Sequence, residues 1–190
     1  MSHESLAPWL TELSQKTPAP GGGALACALS AQATALFAMV ARYSKGPRFG
    51  PALIDRLDRE QSAFLRLAED DARAYQALSD TAKALKKGLA TQDLLKSRSI
   101  AAATPPLMAF EKTLDIADTF IALAEHTNHN LKTDTLMVAD ILACALRSHQ
   151  LNAQINLTGT QNPDFIQLTT ERLSAGAKVI PELEQFRDSF

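Results

Sequence analysis

Thr17-Pro18-Ala19-Pro20-Gly21-Gly22-Gly23 runs directly into an almost wholly apolar segment, residues 24–41, and this junction decides how the chain folds. Two prolines exclude a helix up to Pro20, and three glycines then leave the backbone without any Cβ where it enters a helix. Bare amides at a helix N-terminus form an anion site, because unpaired N–H groups and the positive end of the helix dipole coincide there. A tight turn that lets two backbones touch explains the same triplet, so both interpretations stay open.

The segment after the glycines is unusually apolar, since Ser30, Gln32 and Thr34 are its only polar side chains. Alanine dominates it and polar residues interrupt it, which makes it a weak candidate for a membrane span. Alanines recur on one face at steps of four and three, which permits close approach of another helix. This alanine face consists of Ala24, Ala28, Ala31, Ala35 and Ala38, and the opposite side carries Leu25, Leu29, Leu36 and Val40. A helix that is apolar all round is buried on all sides, which predicts the centre of a bundle or a subunit interface.

Size and charge place the chain in a broad class. Its 190 residues fit one domain, residues 1–190, with a substantial core. A net charge of −2 and the lack of a basic run give no support to nucleic acid or a membrane surface as a partner. The first four residues lack the features of a signal peptide, so we expect a cytoplasmic protein.

The cysteines and histidines do not form a recognisable metal motif. Cys27 and Cys144 both lie in alanine-rich helical patterns, which is typical of small buried thiols rather than of a disulfide or a metal site. His126 and His129 are three residues apart, but a catalytic zinc usually needs three protein ligands. We therefore expect these histidines to be solvated or hydrogen-bonded, and no metal to be bound.

The hydrophobic period is helical throughout, and no segment shows the alternation of a strand. The residues between 45 and 51 form a clear break, and Pro105-Pro106 should kink or split the helix that contains it. The sequence thus predicts an all-α, single-domain bundle of about six helices. Their expected spans are residues 5–16, 24–43, 52–87, 92–127, 133–158 and 163–187.

One aspartate interrupts an apolar stripe in the third predicted helix. The stripe has heptad spacing and consists of Leu57, Phe64, Asp71, Leu78 and Leu85. This spacing directs Asp71 at the core, with Tyr75 one turn further on. A carboxylate taken out of water is costly unless it is paired, hydrogen-bonded or used in chemistry. Drift of the heptad phase would instead bring Asp71 to the edge of the stripe, beside solvated acids. The spacing alone therefore favours a functional role and a structural role for Asp71 equally.

Two further clusters are rich in asparagine. Asn128 and Asn130 precede Thr133 and Asp134, either of which could cap the apolar helix that follows. Asparagine is also common in turns between helices.

Asn152 and Asn156 form the second cluster, one helical turn apart on one face. Such amides can satisfy neighbouring backbone groups, or they can read the mixed donor and acceptor edge of a ligand.

Taken in order, these motifs resemble those of the formimidoyltetrahydrofolate cyclodeaminase and methenyltetrahydrofolate cyclohydrolase family, which includes the cyclodeaminase half of formiminotransferase-cyclodeaminase. The matching segments are Pro18-x-Pro20-Gly21-Gly22-Gly23, Asp71-x-x-Ala74-Tyr75, the alanine-rich residues 101–107, Asn128-x-Asn130-x-x-Thr133-Asp134 and Asn152-x-x-Ile155-Asn156-Leu157. The chain departs from the family at two places: Ala24 stands where Ser or Thr is common, and Thr133 stands where Ser is usual.

The resemblance implies an all-helical homodimer that binds folate in a cleft near the interface. A folate, including its polyglutamylated forms, offers an anion in its glutamate tail and an amide-rich edge in its pterin. The candidate catalytic residues are Asp71, Asp134 and Tyr75. The candidate substrate-binding residues are Gly21, Gly22, Gly23, Asn128, Asn130, Asn152 and Asn156.

Two reactions fit the resemblance. In cyclodeamination, N10 of 5-formimidoyltetrahydrofolate attacks the formimidoyl carbon and ammonia leaves. In cyclohydrolysis, water opens 5,10-methenyltetrahydrofolate to the 10-formyl compound. Both pass through a tetrahedral carbon between two nitrogens, so a carboxylate must stabilise amidinium-like charge and another group must relay protons. We expect Asp71 in the first role, Asp134 as its partner and Tyr75 in orientation, with no metal or redox cofactor.

The chain carries no formiminotransferase half, which favours the cyclohydrolase, with the cyclodeaminase as the alternative. A third possibility, favoured by Ala24, is a non-catalytic folate-binding or dimeric interaction module.

Overall fold

A computed structural model describes residues 3–157 and 159–189, with side chains from Leu6 onward. Over these residues the chain forms seven α-helices, and it contains no strand, which confirms the all-α prediction. The helices are α1 His3–Leu13, α2 Gly22–Tyr43, α3 Pro51–Lys86, α4 Gln92–Ala124, α5 Lys132–Leu157, α6 Pro163–Ser174 and α7 Gly176–Asp188. Short 3-10 turns, Pro47–Phe49 and His129–Leu131, precede α3 and α5.

The core lies where α2, α3, α4 and α5 pack against one another. Its largest side chains are aromatic: Phe37 of α2 meets Phe120 of α4 edge to face, with ring centroids 5.3 Å apart. Phe64 of α3 and Phe110 of α4 are also fully buried. Edge-to-face pairs satisfy the ring quadrupoles and add to the stabilisation from burial. α2 itself packs mainly against α3 and α5.

α2 is long and apolar enough to cross a membrane by length and composition, but 61% of that segment is buried inside the protein, as expected of a core helix. Within the alanine face, Ala31 and Ala38 are buried in the chain's own core. Within a single chain α2 is not buried on all sides, and its predicted place at a subunit interface stays a prediction. Its opposite side is only partly covered, since Val40 is fully buried whereas Leu25 is 39% exposed.

The double proline does not split α4, contrary to one of the two outcomes expected from the sequence. A proline at position 106 cannot donate to the carbonyl of Ala102, four residues earlier. Asn156 Nδ2 of α5 donates to that carbonyl at 3.0 Å. A side chain from the neighbouring helix therefore replaces the missing backbone donor, and the helix continues.

The last predicted helix is instead two helices, α6 and α7, broken at Ala175. A Cβ on Gly176 would lie only 3.0 Å from the ring of Phe110 and 2.8 Å from Gln150 Nε2. The backbone at this break therefore passes so close to α4 and α5 that position 176 has no room for a side chain. Gln150 also donates to the Leu173 carbonyl at 2.9 Å, near the end of α6.

Both cysteines are free, as predicted, but only one of them is buried. Cys27 lies inside the core, whereas Cys144 is exposed on α5. The prediction of burial is therefore wrong for Cys144, because the alanine-rich pattern of α5 does not show which of its faces meets another helix.

Candidate functional site

Asp71 of α3 sits directly on Gly23, in the first turn of α2. A Cβ built on Gly23 would lie 2.5 Å from Asp71 Cγ and 2.6 Å from Oδ1, and closer still to Oδ2. No side chain can occupy position 23 unless the carboxylate moves. The stripe of α3 thus does turn Asp71 inward, and the third glycine of the triplet provides the space for it.

The environment of Asp71 is poorly hydrated. Burial raises the pKa of its carboxyl group from 3.8 to about 6, because the charged form loses hydration. Among the described residues Asp71 has no hydrogen bond and no ion pair. Cys27, one turn further along α2, is close enough for the Asp71 charge to add to the burial that raises the pKa of its thiol to about 12. A half-buried, unpaired carboxyl group with this pKa is typical of a functional site.

The start of α2 presents unpaired backbone amides. Gly21 is the N-cap and has no side chain to cap the helix. The first intrahelical bond runs from Leu25 N to Gly21 O at 3.0 Å, so the amides of Gly22, Gly23 and Ala24 lie in the part of the first turn that has no intrahelical acceptor. Their dipoles favour an anion. The site therefore combines an acid of raised pKa with a helix N-terminus.

Of the two asparagines in α5, Asn152 lies nearer to this site. A Cβ on Gly22 would be 3.5 Å from Asn152 Oδ1, an ordinary contact distance, while Asn152 Nδ2 donates to the Ser148 carbonyl at 2.8 Å. Asn152 therefore presents its oxygen towards the glycine turn. Asn156 uses its donor on α4, as described above, which gives it a structural role that spacing alone does not reveal.

One further candidate, Tyr75, and the position where the chain departs from the family, Ala24, lie on the helices that form this end of the bundle. Tyr75, one turn after Asp71, is 43% exposed, so its hydroxyl is open to solvent or to a bound molecule. Ala24 is buried, so the position where the family commonly has a hydroxyl faces the protein interior here.

Asn128 and Asn130 lie elsewhere, at the far end of α2. Asn128 Nδ2 donates to the Tyr43 carbonyl at 3.0 Å, and its Oδ1 accepts from the Asn130 amide at 3.1 Å. The side chain of Asn128 therefore caps the turn before α5 and ties it to the last residue of α2. Asn130 is exposed beside it.

Asp134 is also remote from Asp71 within one chain. It lies in the first turn of α5, 18 residues before Asn152 on the same helix, which corresponds to about 27 Å along the helix axis. Since Asn152 contacts the Gly22 end of α2, Asp134 and Asp71 are at opposite ends of the bundle. The expected pairing of these two acids does not occur inside a single chain.

This far end, which we call the Asn128 end, contains a pocket of about 90 Å³, lined by Glu125, Thr127, His129, Lys132 and Thr135 among others. His126 and His129 are exposed here, and the described residues hold no group of three metal-ligating side chains. Neither Asp71, Gly23 nor Asn152 lines this pocket.

A buried polar chain in the core was not singled out by sequence reasoning. Thr113 Oγ1 donates to the Ala109 carbonyl at 2.7 Å, so it accepts from Ser30 Oγ at 2.8 Å. Ser30 in turn accepts from His149 Nε2 at 2.9 Å. This order leaves His149 Nδ1 bare and, in the described structure, without a partner. Burial lowers the pKa of His149 to about 4. Ser30, as a polar residue in an apolar run, was the available signal.

The family model described as formiminotransferase-cyclodeaminase matches residues 5–175, most of the chain. The chain belongs to the formiminotransferase-cyclodeaminase family. Family membership confirms the resemblance drawn from the five ordered motifs, and it implies an enzyme that acts on a folate C–N bond.

The fold is also found in a crystal structure of formiminotetrahydrofolate cyclodeaminase from Thermotoga maritima. That structure matches with a TM-score of 0.81 and 23% identity, covering 97% of this chain and 96% of the other. At this identity the likeness shows the common fold. No curated protein sequence matches the chain.

Proposed function

We propose that this family member is a formimidoyltetrahydrofolate cyclodeaminase, which closes the 5-formimidoyl group onto N10 and releases ammonia. Hydrolysis of 5,10-methenyltetrahydrofolate, the first expectation from the sequence, has weaker support, because the family description and the similar structure both specify a cyclodeaminase. The non-catalytic module is not retained, since membership of this family implies an enzyme.

The observation that carries the proposal is the unpaired Asp71 carboxyl group over Gly23. Ring closure passes through a tetrahedral carbon, and the proton lost from N10 must reach the departing nitrogen as ammonia forms. With a pKa of about 6, Asp71 is mainly ionised at neutral pH yet accepts a proton readily, which suits both charge stabilisation and proton transfer. The step needs no metal and no redox cofactor.

The remaining groups at this end suit a folate. The bare amides at the start of α2 lie beside Asp71, where they can donate to an acceptor atom at the reacting end of a folate; the glutamate tail, or its polyglutamylated form, then extends away from Gly23. Asn152 Oδ1 beside Gly22 can accept from a nitrogen of the pterin edge. Tyr75, exposed one turn from Asp71, is placed to orient a bound ring. A cytoplasmic location is part of this proposal.

A homodimer completes the proposal. Large apolar residues at heptad-like spacing are exposed or half-buried on two adjoining helices, and we call this surface the α2–α5 stripe. It consists of Leu25, Leu29, Leu36, Met39 and Tyr43 of α2 with Met137, Ile141, Cys144, Leu151 and Ile155 of α5. The two halves adjoin, since Leu151 neighbours Asn152, which contacts the start of α2. An apolar surface of this length marks an interaction site, and a two-fold pair is the commonest way to cover it.

Light scattering tests the dimer. Leu151, 68% exposed in the stripe, and Leu89, 78% exposed beyond α3, form a matched pair. We expect Leu151→Glu to lower the mass at micromolar concentration from twice 20.5 kDa to 20.5 kDa, and Leu89→Glu to leave it unchanged. A wild-type monomer, or equal behaviour of the two variants, contradicts the assignment.

Absorbance of the methenyl product tests the reaction. We expect absorbance to rise when the chain is added to 5-formimidoyltetrahydrofolate. We also expect no loss beyond spontaneous hydrolysis when the chain is added to 5,10-methenyltetrahydrofolate. Catalysed loss with the second substrate and no rise with the first would establish the cyclohydrolase instead.

A further inference from the structure

We infer that His149 is a positioning residue for the candidate site: its hydrogen bond to Ser30 sets where α5, and with it Asn152, lies against the first turn of α2. The inference rests on the proposed function, in which Asn152 contacts the substrate, and it adds a residue that lies outside every motif of the site. His149 and Ser30 act through Asn152, since both are fully buried.

The buried polar chain below the site has a fixed direction. Thr113 of α4 donates its proton to a carbonyl of its own helix. It therefore accepts from Ser30 at 2.8 Å, and Ser30 accepts from His149 Nε2 at 2.9 Å. One hydrogen bond thus joins α5 to α2, and the next joins α2 to α4. The three helices meet at a single point inside the core.

This point lies directly beneath the candidate site. His149 is three residues before Asn152 on α5, about 4.5 Å along the helix axis. Ser30 follows Gly23 by seven residues on α2, so the two share one face of that helix. The contact of Asn152 with Gly22 and the bond of His149 to Ser30 are therefore neighbouring links between the same two helices. A change in the inner link moves the outer one.

The side chains around the bonded pair are too small to fix α5 along α2. The residues one turn away on either helix are fully buried alanines: Ala26, Ala33, Ala145 and Ala153. Methyl groups form shallow ridges, which oppose sliding of one helix along another less than large side chains do. A hydrogen bond, by contrast, holds its two atoms within a narrow range of distance and angle. The bond between His149 and Ser30 therefore determines the register of α5 on α2 at this level.

His149 is an unfavourable residue for packing alone. Its Nδ1 atom is buried and, among the described residues, has no hydrogen-bond partner. An unsatisfied polar atom in the core lowers stability, and an apolar side chain of similar size, such as leucine, would avoid that loss. Leucine cannot supply the directed bond to Ser30. The bond, rather than the volume of the ring, is therefore the property that the site uses.

Kinetics and ligand binding test this role. His149→Leu and Ser30→Ala each remove the bond, so each should raise KM about tenfold. Each should also raise, by a similar factor, the Kd of 5-formyltetrahydrofolate, an analogue of the substrate that has no ammonia to release. kcat should change little, because Asp71 lies on α3 and keeps its contact with Gly23.

Two further variants separate positioning from stability. The double variant should bind no more weakly than either single one, since both changes remove the same interaction. His149→Gln, whose amide nitrogen can replace Nε2 as the donor, should restore KM and Kd. Leu183→Ala is the matched control: Leu183 is fully buried on α7, which carries none of the site groups, so this change should lower stability and leave KM and Kd unaltered. Equal rises in His149→Leu and Leu183→Ala, or no rescue by glutamine, would overturn the inference.

NMR reads the position of Asn152 without turnover. Ser30→Ala keeps the imidazole ring and is the smaller change, so it carries this test even if His149→Leu does not fold. It should shift the side-chain amide signals of Asn152 and the backbone amide signal of Gly22, whereas Leu183→Ala should leave both in place. Unshifted signals in Ser30→Ala would overturn the inference. A wild-type chain without turnover would refute the proposed function, while these spectra would still decide whether the bond positions Asn152.

Discussion

Replacing Asp71 with asparagine should slow turnover and stabilise the fold, and the stabilisation should depend on pH. The pKa of Asp71 rises from 3.8 to about 6 on folding because burial disfavours the charge. A shift of two units corresponds to roughly 3 kcal/mol. Since the side chain is partly exposed and solvent screens its charge, we expect a gain of about 1–3 kcal/mol for Asp71→Asn above pH 6.

The sign follows from proton linkage. The folded state holds the Asp71 proton more tightly than the unfolded chain does, so this group favours folding fully below pH 3.8 and loses that contribution as pH rises through 6. The asparagine variant does not titrate. The stability difference between variant and wild type should therefore be small at pH 4, grow between pH 4 and 6, and level off above that range.

Thermal unfolding of both proteins at several pH values measures this difference, and subtraction removes the contribution of the other titrating groups. For a domain of this size the expected gain at pH 8 is about 2–10 °C. Turnover should fall about a hundredfold or more. A variant that is no more stable at pH 8 than at pH 4, relative to wild type, would refute the burial argument. Near-normal turnover would refute the catalytic one.

Three further changes test separate parts of the structure. Gly23→Ala should abolish turnover, because its Cβ overlaps Asp71. Gly22→Ala, whose Cβ would lie 3.5 Å from Asn152 Oδ1, should retain most of kcat even where KM rises. Equal losses of kcat would contradict the close packing of Asp71 on Gly23. Nitrogen NMR should find the His149 ring neutral down to about pH 5, with its proton on Nε2. Because its folded pKa lies below the unfolded value, this group favours folding above pH 6.5, and about 3 kcal/mol of that stability is lost as pH falls through 4. A His149 ring that titrates near pH 6.5 would contradict this. Asn156→Ala should cost about 1–3 kcal/mol in denaturant unfolding by leaving the Ala102 carbonyl unsatisfied, and an unchanged midpoint would show that water replaces the donor.

The positions of most helices and the inward direction of Asp71 could be predicted from the sequence. Periodicity predicts helical segments close to those observed, and the heptad stripe turns Asp71 inward as expected. Spacing could not show that Gly23 is the residue beneath it, because the contact joins α2 and α3. Two features therefore account for the three glycines: the Asp71 side chain packs on Gly23, and the backbone amides of the first turn are left uncovered.

Other features depend on contacts that no local pattern encodes. Pro106 is tolerated because Asn156, 50 residues later, supplies the missing donor. The motif that ends in Asp134 matches the family in order, but order along the chain does not reveal that α5 holds Asp134 and Asn152 at its two ends. Cys144 and Leu151 are exposed because α5 leaves one face uncovered in the single chain, which becomes visible only once its neighbours are placed.

The most direct test of the central claim is the release of ammonia from 5-formimidoyltetrahydrofolate by the purified chain. The account predicts one ammonia for each methenyltetrahydrofolate formed, at a rate reduced about a hundredfold or more in Asp71→Asn. Formation of product without stoichiometric ammonia, or equal rates for wild type and Asp71→Asn, would contradict it.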